Sequence, residues 1–207
     1  MWPLLACSVV VVAVVIERAV FWVRLRLGGR CALREEVVAL AGRGLWEAVE
    51  KKTAGSGDYV LAVLGAGARH RHGGMTAAME AEARRAEREM GRYMKALDTM
   101  ITAAPLIGIF GTVTGIITAF STLGHGDAAD PRLVGGGIAE ALITTAAGLA
   151  VSIAAVFPYN YFRGLVDEAV HHMEDYGSRL EAAWSVGGDG AKAEEKSFTA
   201  RRAGSRP

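Results

Sequence analysis

Three long apolar stretches constrain the fold of this chain more than any other feature of its sequence. They cover residues 1–23, 100–123 and 138–162, and each is close to the roughly 20 helical residues that cross the hydrocarbon core of a bilayer. A chain inside a bilayer must satisfy its backbone amides internally, which a helix does with its own hydrogen bonds. We therefore expect an all-α membrane protein with three transmembrane helices.

The charged residues lie outside these stretches. The chain is 51% hydrophobic and 22% charged, with a net charge of +1, and no basic run alternates with aromatic residues as single-strand nucleic-acid binding requires. His70 and His72 stand beside arginines with no third metal ligand nearby. Because the sequence also has no Ser/His/Asp set, phosphate-binding loop or metal motif, we expect no enzyme, no cofactor, no metal and no nucleic-acid partner.

Basic residues indicate the orientation in the membrane. They follow the first span within residues 24–34, precede the second within 84–95 and follow the third at Arg163, whereas the loop between spans two and three carries only Arg132. Lys and Arg are enriched on the cytoplasmic side of membrane proteins. The sequence therefore predicts an outside N-terminus and an inside C-terminus.

This orientation divides the remaining chain into four parts. Residues 24–99 are expected to form a cytoplasmic helical domain that runs into the second span, with a helix break at Gly42 to Gly44. Residues 124–137, rich in Gly, Asp and Pro, are expected to form a periplasmic loop. Residues 163–184 read as a cytoplasmic helix, and the polar, Gly-rich tail 185–207 is expected to be disordered.

A seam of apolar and small residues leads from the cytoplasmic domain into the second span. Its members alternate at spacings of four and three, as coiled-coil seams do: Met79, Ala83, Ala86, Met90, Tyr93, Leu97 and Met100. The pattern predicts one helix from about residue 75 to 123. Pro105 cannot donate to the carbonyl four residues earlier, so we expect a kink there.

Spans two and three each present a face of small and hydroxyl-bearing residues. On span two this face falls within an arc of about 80° and contains Ala104, Gly108, Thr112, Gly115, Ala119 and Thr122. On span three it contains Glu140, Ala141, Thr144, Thr145, Ala147, Gly148, Ser152 and Ala155. Small residues let helix backbones approach closely in lipid. Because these faces exceed what one three-helix subunit would cover, we expect a homo-oligomer.

Two threonines and one glutamate are the polar candidates in these spans. By helical rise Thr112 and Thr145 lie about 12–15 Å below the outer surface, near the midplane together. Their hydroxyls would serve either as interhelical hydrogen bonds or as the lining of a wet proton path. Glu140, one turn inside the outer end, would either act in function, face water or complement its helix N-terminus. Neither span has a titratable group near its middle, so proton conduction would need a carboxylate from a partner.

The residues of all three spans resemble one known family. "LDTMITAAPLIGIFGTVTGIITAF" and "GGGIAEALITTAAGLAVSIAAVFPYNYF" are similar to the second and third spans of the ExbB/TolQ branch of the MotA/TolQ/ExbB proton-channel family. "SVVVVAVVIERAVFW" resembles its first span. The resemblance covers roughly Met1 to Ala183.

The resemblance implies a specific assembly in the bacterial inner membrane. Five three-span subunits would surround a single-span ExbD/TolR-like partner, present in two copies, whose membrane aspartate takes the proton. Thr112 and Thr145 match the family's pore threonines and Glu140 matches its "GIAEAL" glutamate. Proton flow would drive movement of the partner and energise TonB- or Tol-dependent outer-membrane work, with a TonB/TolA-like protein as a further partner and membrane lipid around the ring.

One position departs from the family pattern, and two other functions stay open. Many members have a proline where this chain has Ala154, whereas here Pro158 comes four residues later. We therefore expect the kink of span three closer to the cytoplasm. The alternatives are a non-conducting structural scaffold and a MotA-like motility stator, a branch that normally has four spans.

Overall fold

The computed structural model describes residues 2–27, 31–121 and 131–203, and every regular element in these residues is an α-helix. The helices are α1 (Trp2–Leu27), α2 (Cys31–Gly42), α3 (Trp46–Thr53), α4 (Tyr59–Arg69), α5 (Met75–Met90), α6 (Met94–Ser121) and α7 (Pro131–Ala203). The all-α fold expected from the sequence is confirmed. The expected break near Gly42 is the gap between α2 and α3, where Gly44 has a positive φ of 74°.

Three of these helices are long and apolar enough to cross a membrane. The qualifying segments are Trp2–Leu25 in α1, Met94–Ser121 in α6 and Val134–Val186 in α7. They contain the described parts of the three spans expected from the sequence. The orientation of the helices across the membrane stays a prediction.

The chain divides into two compact units, and the first contains the apolar helices. It comprises residues 2–22 and the described residues of 91–165. Val11, Leu97 and Ala155, one from each of α1, α6 and α7, form its buried cluster. The large side chains on one side of α6 are exposed, namely Ile109, Phe110, Val113, Ile116, Ile117 and Phe120. This side lies opposite the small-residue face of α6.

The second unit comprises the described residues of 23–90 and those from 166 onward. The apolar helix α4 lies at its centre, with Val60, Leu61 and Leu64 fully buried. Side chains from α2, α3, α5 and the later part of α7 complete the cluster, among them Val37, Val49, Met79, Met173 and Leu180. The described residues of 23–90 thus pack into one helical unit with the later part of α7. The domain bounds expected from the sequence stay a prediction.

A buried ion pair fixes the start of α4. The Asp58 carboxylate accepts hydrogen bonds from the backbone amides of Val60 and Leu61 at 2.9 and 3.3 Å, which caps the helix. The same carboxylate lies 2.8 Å from Nη2 of Arg34 in α2. Both side chains are buried, so the pair ties α2 to the beginning of α4.

The expected continuous helix from residue 75 to 123 is wrong. α5 ends at Met90 and α6 begins at Met94, with a turn between them. Gly91 is a poor helix former, and Tyr93 has a left-handed φ of 64°, which no helix continues through. Tyr93 is therefore exposed at 43% instead of belonging to the apolar seam.

Two arginines stack on Tyr93 in this turn. The guanidinium carbon of Arg92 lies 4.7 Å from the ring centroid, and that of Arg18 lies 5.8 Å away. Arg18 belongs to α1, is only 2% exposed and also pairs with Glu17 at 2.5 Å. These cation–π contacts offset part of the cost of the left-handed conformation.

The ends of α7 differ from the expected segment boundaries. The helix begins at Pro131, so residues 131–137 are helical where the sequence predicts loop, and residues 122–130 lie outside the described residues. Thr122, expected on the small-residue face, is among those. At the other end the backbone is helical to Ala203, through most of the tail expected to be disordered, and 204–207 lie outside the described residues. The tail segment contains Ala, Glu and Lys, which are good helix formers.

Candidate functional site

Helices α6 and α7 approach each other closely through glycines. A β-carbon at Gly148 would lie 2.5 Å from the carbonyl oxygen of Ala104, and one at Gly108 would lie 3.0 Å from that of Thr144. The distance at Gly148 is shorter than real β-carbons show, and the one at Gly108 is tighter than most of them, so a larger residue at either position would push the two backbones apart. The glycines therefore set the separation of the two helices.

The same contact continues along the helices towards the end of α6. A β-carbon at Gly115 would lie 2.8 Å from Cβ of Ala141, and one at Gly137 would lie 2.8 Å from Cβ of Ala119. Ala119 and Ala141 are both buried. The two small-residue faces thus pack on each other within one chain. Their mutual burial means that an argument for a homo-oligomer must rest on other surfaces.

The hydroxyls of Thr112 and Thr145 meet at this contact. Their Oγ1 atoms lie 3.0 Å apart, and either oxygen can be the donor. Thr145 Oγ1 also lies 3.1 Å from the Gly108 carbonyl oxygen, and Thr112 Oγ1 lies 2.7 Å from that of Ile109. Both threonines are half-buried. The structure therefore brings together the two threonines that the sequence places at one depth.

The threonine pair has fewer hydrogens than acceptors. Each hydroxyl carries one hydrogen and accepts through its lone pairs. The two hydrogens can be directed at each other's oxygen or at the carbonyls of Gly108 and Ile109. Rotation of the hydroxyls therefore exchanges donor and acceptor roles without any change of charge. Such a pair can donate a hydrogen bond to an oxygen that enters the site, or accept one from a protonated group.

The remaining hydroxyls at this contact have packing roles. Thr144 donates to the Ala141 carbonyl of its own helix at 2.7 Å and lies 3.3 Å from the Gly108 carbonyl. Its Oγ1 would lie 2.7 Å from a β-carbon at Gly111, which explains the glycine there. Thr144 thus fills the space beside the threonine pair.

Ser152 satisfies a carbonyl that the proline of α6 leaves without its helical donor. Pro105 has no backbone N–H, so it cannot bond the Ile101 carbonyl four residues earlier. The Ser152 hydroxyl of α7 donates to that carbonyl at 2.7 Å, and Ser152 is only 9% exposed. Pro105 in the sequence indicates that the Ile101 carbonyl lacks its helical donor. The sequence does not indicate which side chain donates to that carbonyl, so this role of Ser152 was missed.

The other candidates do not join the threonine pair. Glu140 is exposed, and within the described residues it has no hydrogen bond to Thr112 or Thr145. Pro105 and Pro158 both lie inside helices, α6 and α7 respectively. The kinks expected at these prolines stay predictions.

The helices and the threonine pair together define a class of membrane protein. Three membrane-length helices, with a neutral hydroxyl pair at a glycine-lined helix contact, describe a multi-pass membrane protein whose polar site carries no charge of its own. In the part of the chain that the structure describes, no three His, Cys, Asp or Glu side chains group together to hold a metal ion.

Comparison with known proteins identifies the family. The model of the MotA/TolQ/ExbB proton channel family matches residues 56–175, more than half of the chain. An ExbB-like biopolymer transport protein of Synechocystis sp. is 36% identical over 191 residues, covering 87% of this chain and 73% of that protein. A second one from the same organism is 31% identical over 206 residues, covering 97% and 96%.

A shorter match extends the similarity to the TolQ proteins. The Tol-Pal system protein TolQ of Haemophilus influenzae is 42% identical over 85 residues, covering 41% of this chain and 36% of that protein. The chain belongs to the MotA/TolQ/ExbB proton channel family, and the resemblance read from the sequence is confirmed. This family is non-enzymatic, and its ExbB/TolQ members are multi-pass membrane proteins, typically of the inner membrane.

Proposed function

We propose that this chain is a channel subunit of a proton-driven inner-membrane motor and works with an ExbD/TolR-like single-span partner. The partner's membrane aspartate would take up and release the proton, while Thr112 and Thr145 solvate it. The contact of 3.0 Å between the two threonine hydroxyls carries this proposal. Residues 100–121 contain no Asp, Glu, Lys or Arg, so the titrating group must come from elsewhere.

The hydroxyl pair suits this role because it can interact with both forms of a carboxyl group. A carboxylate accepts hydrogen bonds, whereas a protonated carboxyl also donates one. Thr112 and Thr145 can donate through one rotamer and accept through another. Their carbonyl partners at Gly108 and Ile109 take the hydroxyl hydrogens when the aspartate does not. Glu140 would line the outer end of the same path.

The assembly belongs to the same proposal. We infer an outside N-terminus and a ring, most simply a pentamer, in which the exposed bulky side of α6 contacts lipid or neighbouring copies. The energised process would be TonB- or Tol-dependent, through a TonB/TolA-like protein. Native mass spectrometry in mild detergent is expected to give an oligomer, and a monomer would contradict the ring.

A structural scaffold is the second candidate function, and one observation favours it. Both threonine hydroxyls already have carbonyl acceptors within 3.1 Å, Ile109 in the same helix for Thr112 and Gly108 in the other helix for Thr145. Hydroxyls with a purely structural role would be bonded in this way. A MotA-like stator is supported by family membership alone. The experiment must therefore separate a lost hydroxyl from lost packing.

The test replaces both hydroxyls at once, in Thr112→Val combined with Thr145→Val. Removing both partners of a hydrogen bond with side chains of similar shape is nearly neutral for stability. We expect the complex to assemble and proton-driven activity to fall strongly. Thr114→Val is the matched control, because Thr114 is exposed and its hydroxyl bonds carbonyls of its own helix, those of Phe110 and Gly111.

The measurements are activity in cells lacking the native gene and co-purification of the single-span partner. Full activity in the double variant would mean that both threonines serve only in helix packing. Loss of the complex itself would favour the scaffold. Glu140→Gln is expected to have a smaller effect, or one mainly on assembly, because Glu140 has no hydrogen bond to the threonines in the described residues.

A further inference from the structure

The second unit has an open groove between α5 and the later part of α7. It has a volume of about 170 Å³, and its floor is apolar, formed by Val63, Met79, Ala83 and Met173. Gly177 lies in one wall, where even a β-carbon would be 3.9 Å from Sδ of Met79. Methionine side chains adapt their shape to whatever covers them. The floor is thus suited to an aliphatic segment such as the stem of a long side chain.

Carboxylates line both edges of this groove. Glu80 on α5 and Glu174 and Glu181 on α7 are among its lining residues. On α5, Glu87 follows Glu80 by seven residues, and on α7, Asp167 precedes Glu174 by seven. Residues seven apart lie on the same side of a helix. The acidic edges therefore extend beyond the groove along both helices.

Few of these charges are neutralised within the chain. Glu80 pairs with Arg84 at 2.6 Å, and Glu181 accepts a hydrogen bond from Thr76 at 2.5 Å. No Lys or Arg is among the described residues that line the groove. An occupant with positive charge and an aliphatic stem would complement both the edges and the floor.

The same chain carries such a surface on another side of α5. Arg85 and Arg88 are exposed there, and we call them the basic edge. Arg88 is nine residues after Met79, which turns it by about 180° from the buried side of the helix. The side chain of Arg85 is 73% exposed. Because edge and groove face different directions on α5, they are suited to meet between copies.

We propose that the groove of one copy binds the basic edge of a second copy. Arginine stems would cover the methionine floor while the guanidinium groups pair with Glu174 and Glu181. The contact is heterologous, and repeated around a closed ring it uses every groove and every edge once. The inference rests on the oligomer proposed above and adds the surface through which the domains outside the membrane spans associate.

The test cross-links two differently tagged full-length chains that are expressed together. One carries Ser178→Cys at the groove and the other Arg85→Cys on the basic edge, both in a Cys31→Ser background because Cys31 is exposed. A short bis-maleimide is expected to join the two tags in high yield. In the control, the second chain carries Lys51→Cys and keeps Arg85. Lys51 is exposed on a different helix, so only background yield is expected.

Charge reversal makes the test specific. Glu174→Lys with Glu181→Lys on the groove chain is expected to lower the cross-link yield about fivefold, the effect of a few exposed charge pairs. Arg88→Glu on the edge chain is expected to restore part of it. Failure of this restoration would overturn the assignment of these charges to one interface.

The outcomes separate this inference from the proposed assembly. Native mass spectrometry of the same samples reports the oligomer. An intact oligomer with only background cross-linking would overturn the groove contact alone, whereas a monomer would overturn the ring and the contact together. Truncation after residue 186 removes the basic tail segment 196–207. If cross-linking appears only after that truncation, the tail occupies the groove and the proposed contact is wrong.

Discussion

Replacing Ser152 with alanine tests how α6 tolerates a proline inside a membrane-length helix. Ser152 donates to the Ile101 carbonyl at 2.7 Å, the carbonyl that Pro105 cannot reach. A buried carbonyl left without a donor costs about 1–3 kcal/mol, while interhelical hydrogen bonds in membranes average about 0.6 kcal/mol, with a maximum near 1.7. We therefore expect Ser152→Ala to destabilise the protein by about 1 kcal/mol, or about 2–4 °C for a chain of this size.

A second substitution separates the hydrogen bond from packing. Pro105→Ala returns a backbone amide that can donate to the Ile101 carbonyl. That carbonyl then has a helical donor and no longer relies on the Ser152 hydroxyl. In that background Ser152→Ala is expected to cost less, with a coupling of about 0.5–1 kcal/mol between the two sites. Ser185→Ala is the matched control, because Ser185 is exposed and donates to the Ala182 carbonyl of its own helix.

The assay is thermal unfolding of the full-length protein in one detergent, followed by loss of helicity. The four chains of the cycle and the control are measured together, so that detergent effects cancel. The reasoning is refuted if Ser152→Ala has the same effect with and without Pro105, or if it has no more effect than the Ser185 control. Either result would mean that the carbonyl finds another donor.

Three further perturbations have definite expected results. Gly148→Ala should destabilise the α6–α7 contact by about 1–3 kcal/mol through overpacking, whereas Gly164→Ala, with nothing within 4 Å of the added carbon, should be neutral or slightly stabilising in the same unfolding assay. Leu97→Asp should cost several kcal/mol, because Leu97 is 0% exposed, and unchanged unfolding would exclude its core role. Hydrogen bonding by Arg179 and Tyr176 lowers the pKa of Glu35 from 4.5 to about 2. The contribution of Glu35 to folding stability is therefore present above pH 4.5 and lost as pH falls to about 2. Arg179→Gln should reduce that acid sensitivity, and an unchanged pH profile between 4.5 and 2 would contradict the assignment.

The membrane helices could be predicted because their signals are long and local. About 20 apolar residues in sequence predict a span whatever the rest of the chain does. The depth of Thr112 and Thr145 follows from helical rise alone, which is why the sequence places them together. Which carbonyls their hydroxyls bond could not be predicted, since that depends on the rotation and separation of α6 and α7. The glycines at 108 and 148 fix that separation.

The break between α5 and α6 was missed because the periodic seam runs through it. Met90 and Leu97 keep the heptad spacing on both sides, so periodicity favours one helix. Gly91 was the available signal, yet a single glycine costs a helix only about 1 kcal/mol. The left-handed Tyr93 is contacted by Arg18 from a distant part of the sequence. Contacts of that kind decide such breaks, and local pattern does not report them.

A neutral threonine pair has a consequence for proton transfer in the proposed motor. A fixed Lys or Arg at this depth would hold a partner's carboxylate in its charged form, and a fixed carboxylate would hold it protonated. Thr112 and Thr145 impose neither state, because each hydroxyl donates or accepts by rotation. The free energies of the charged and neutral carboxyl can then stay close, and the proton is released as readily as it is bound. On the proposed function, the absence of charged side chains from residues 100–121 of α6 is therefore a requirement for repeated turnover. Thr112→Lys should block activity even in an assembled complex that still binds the partner.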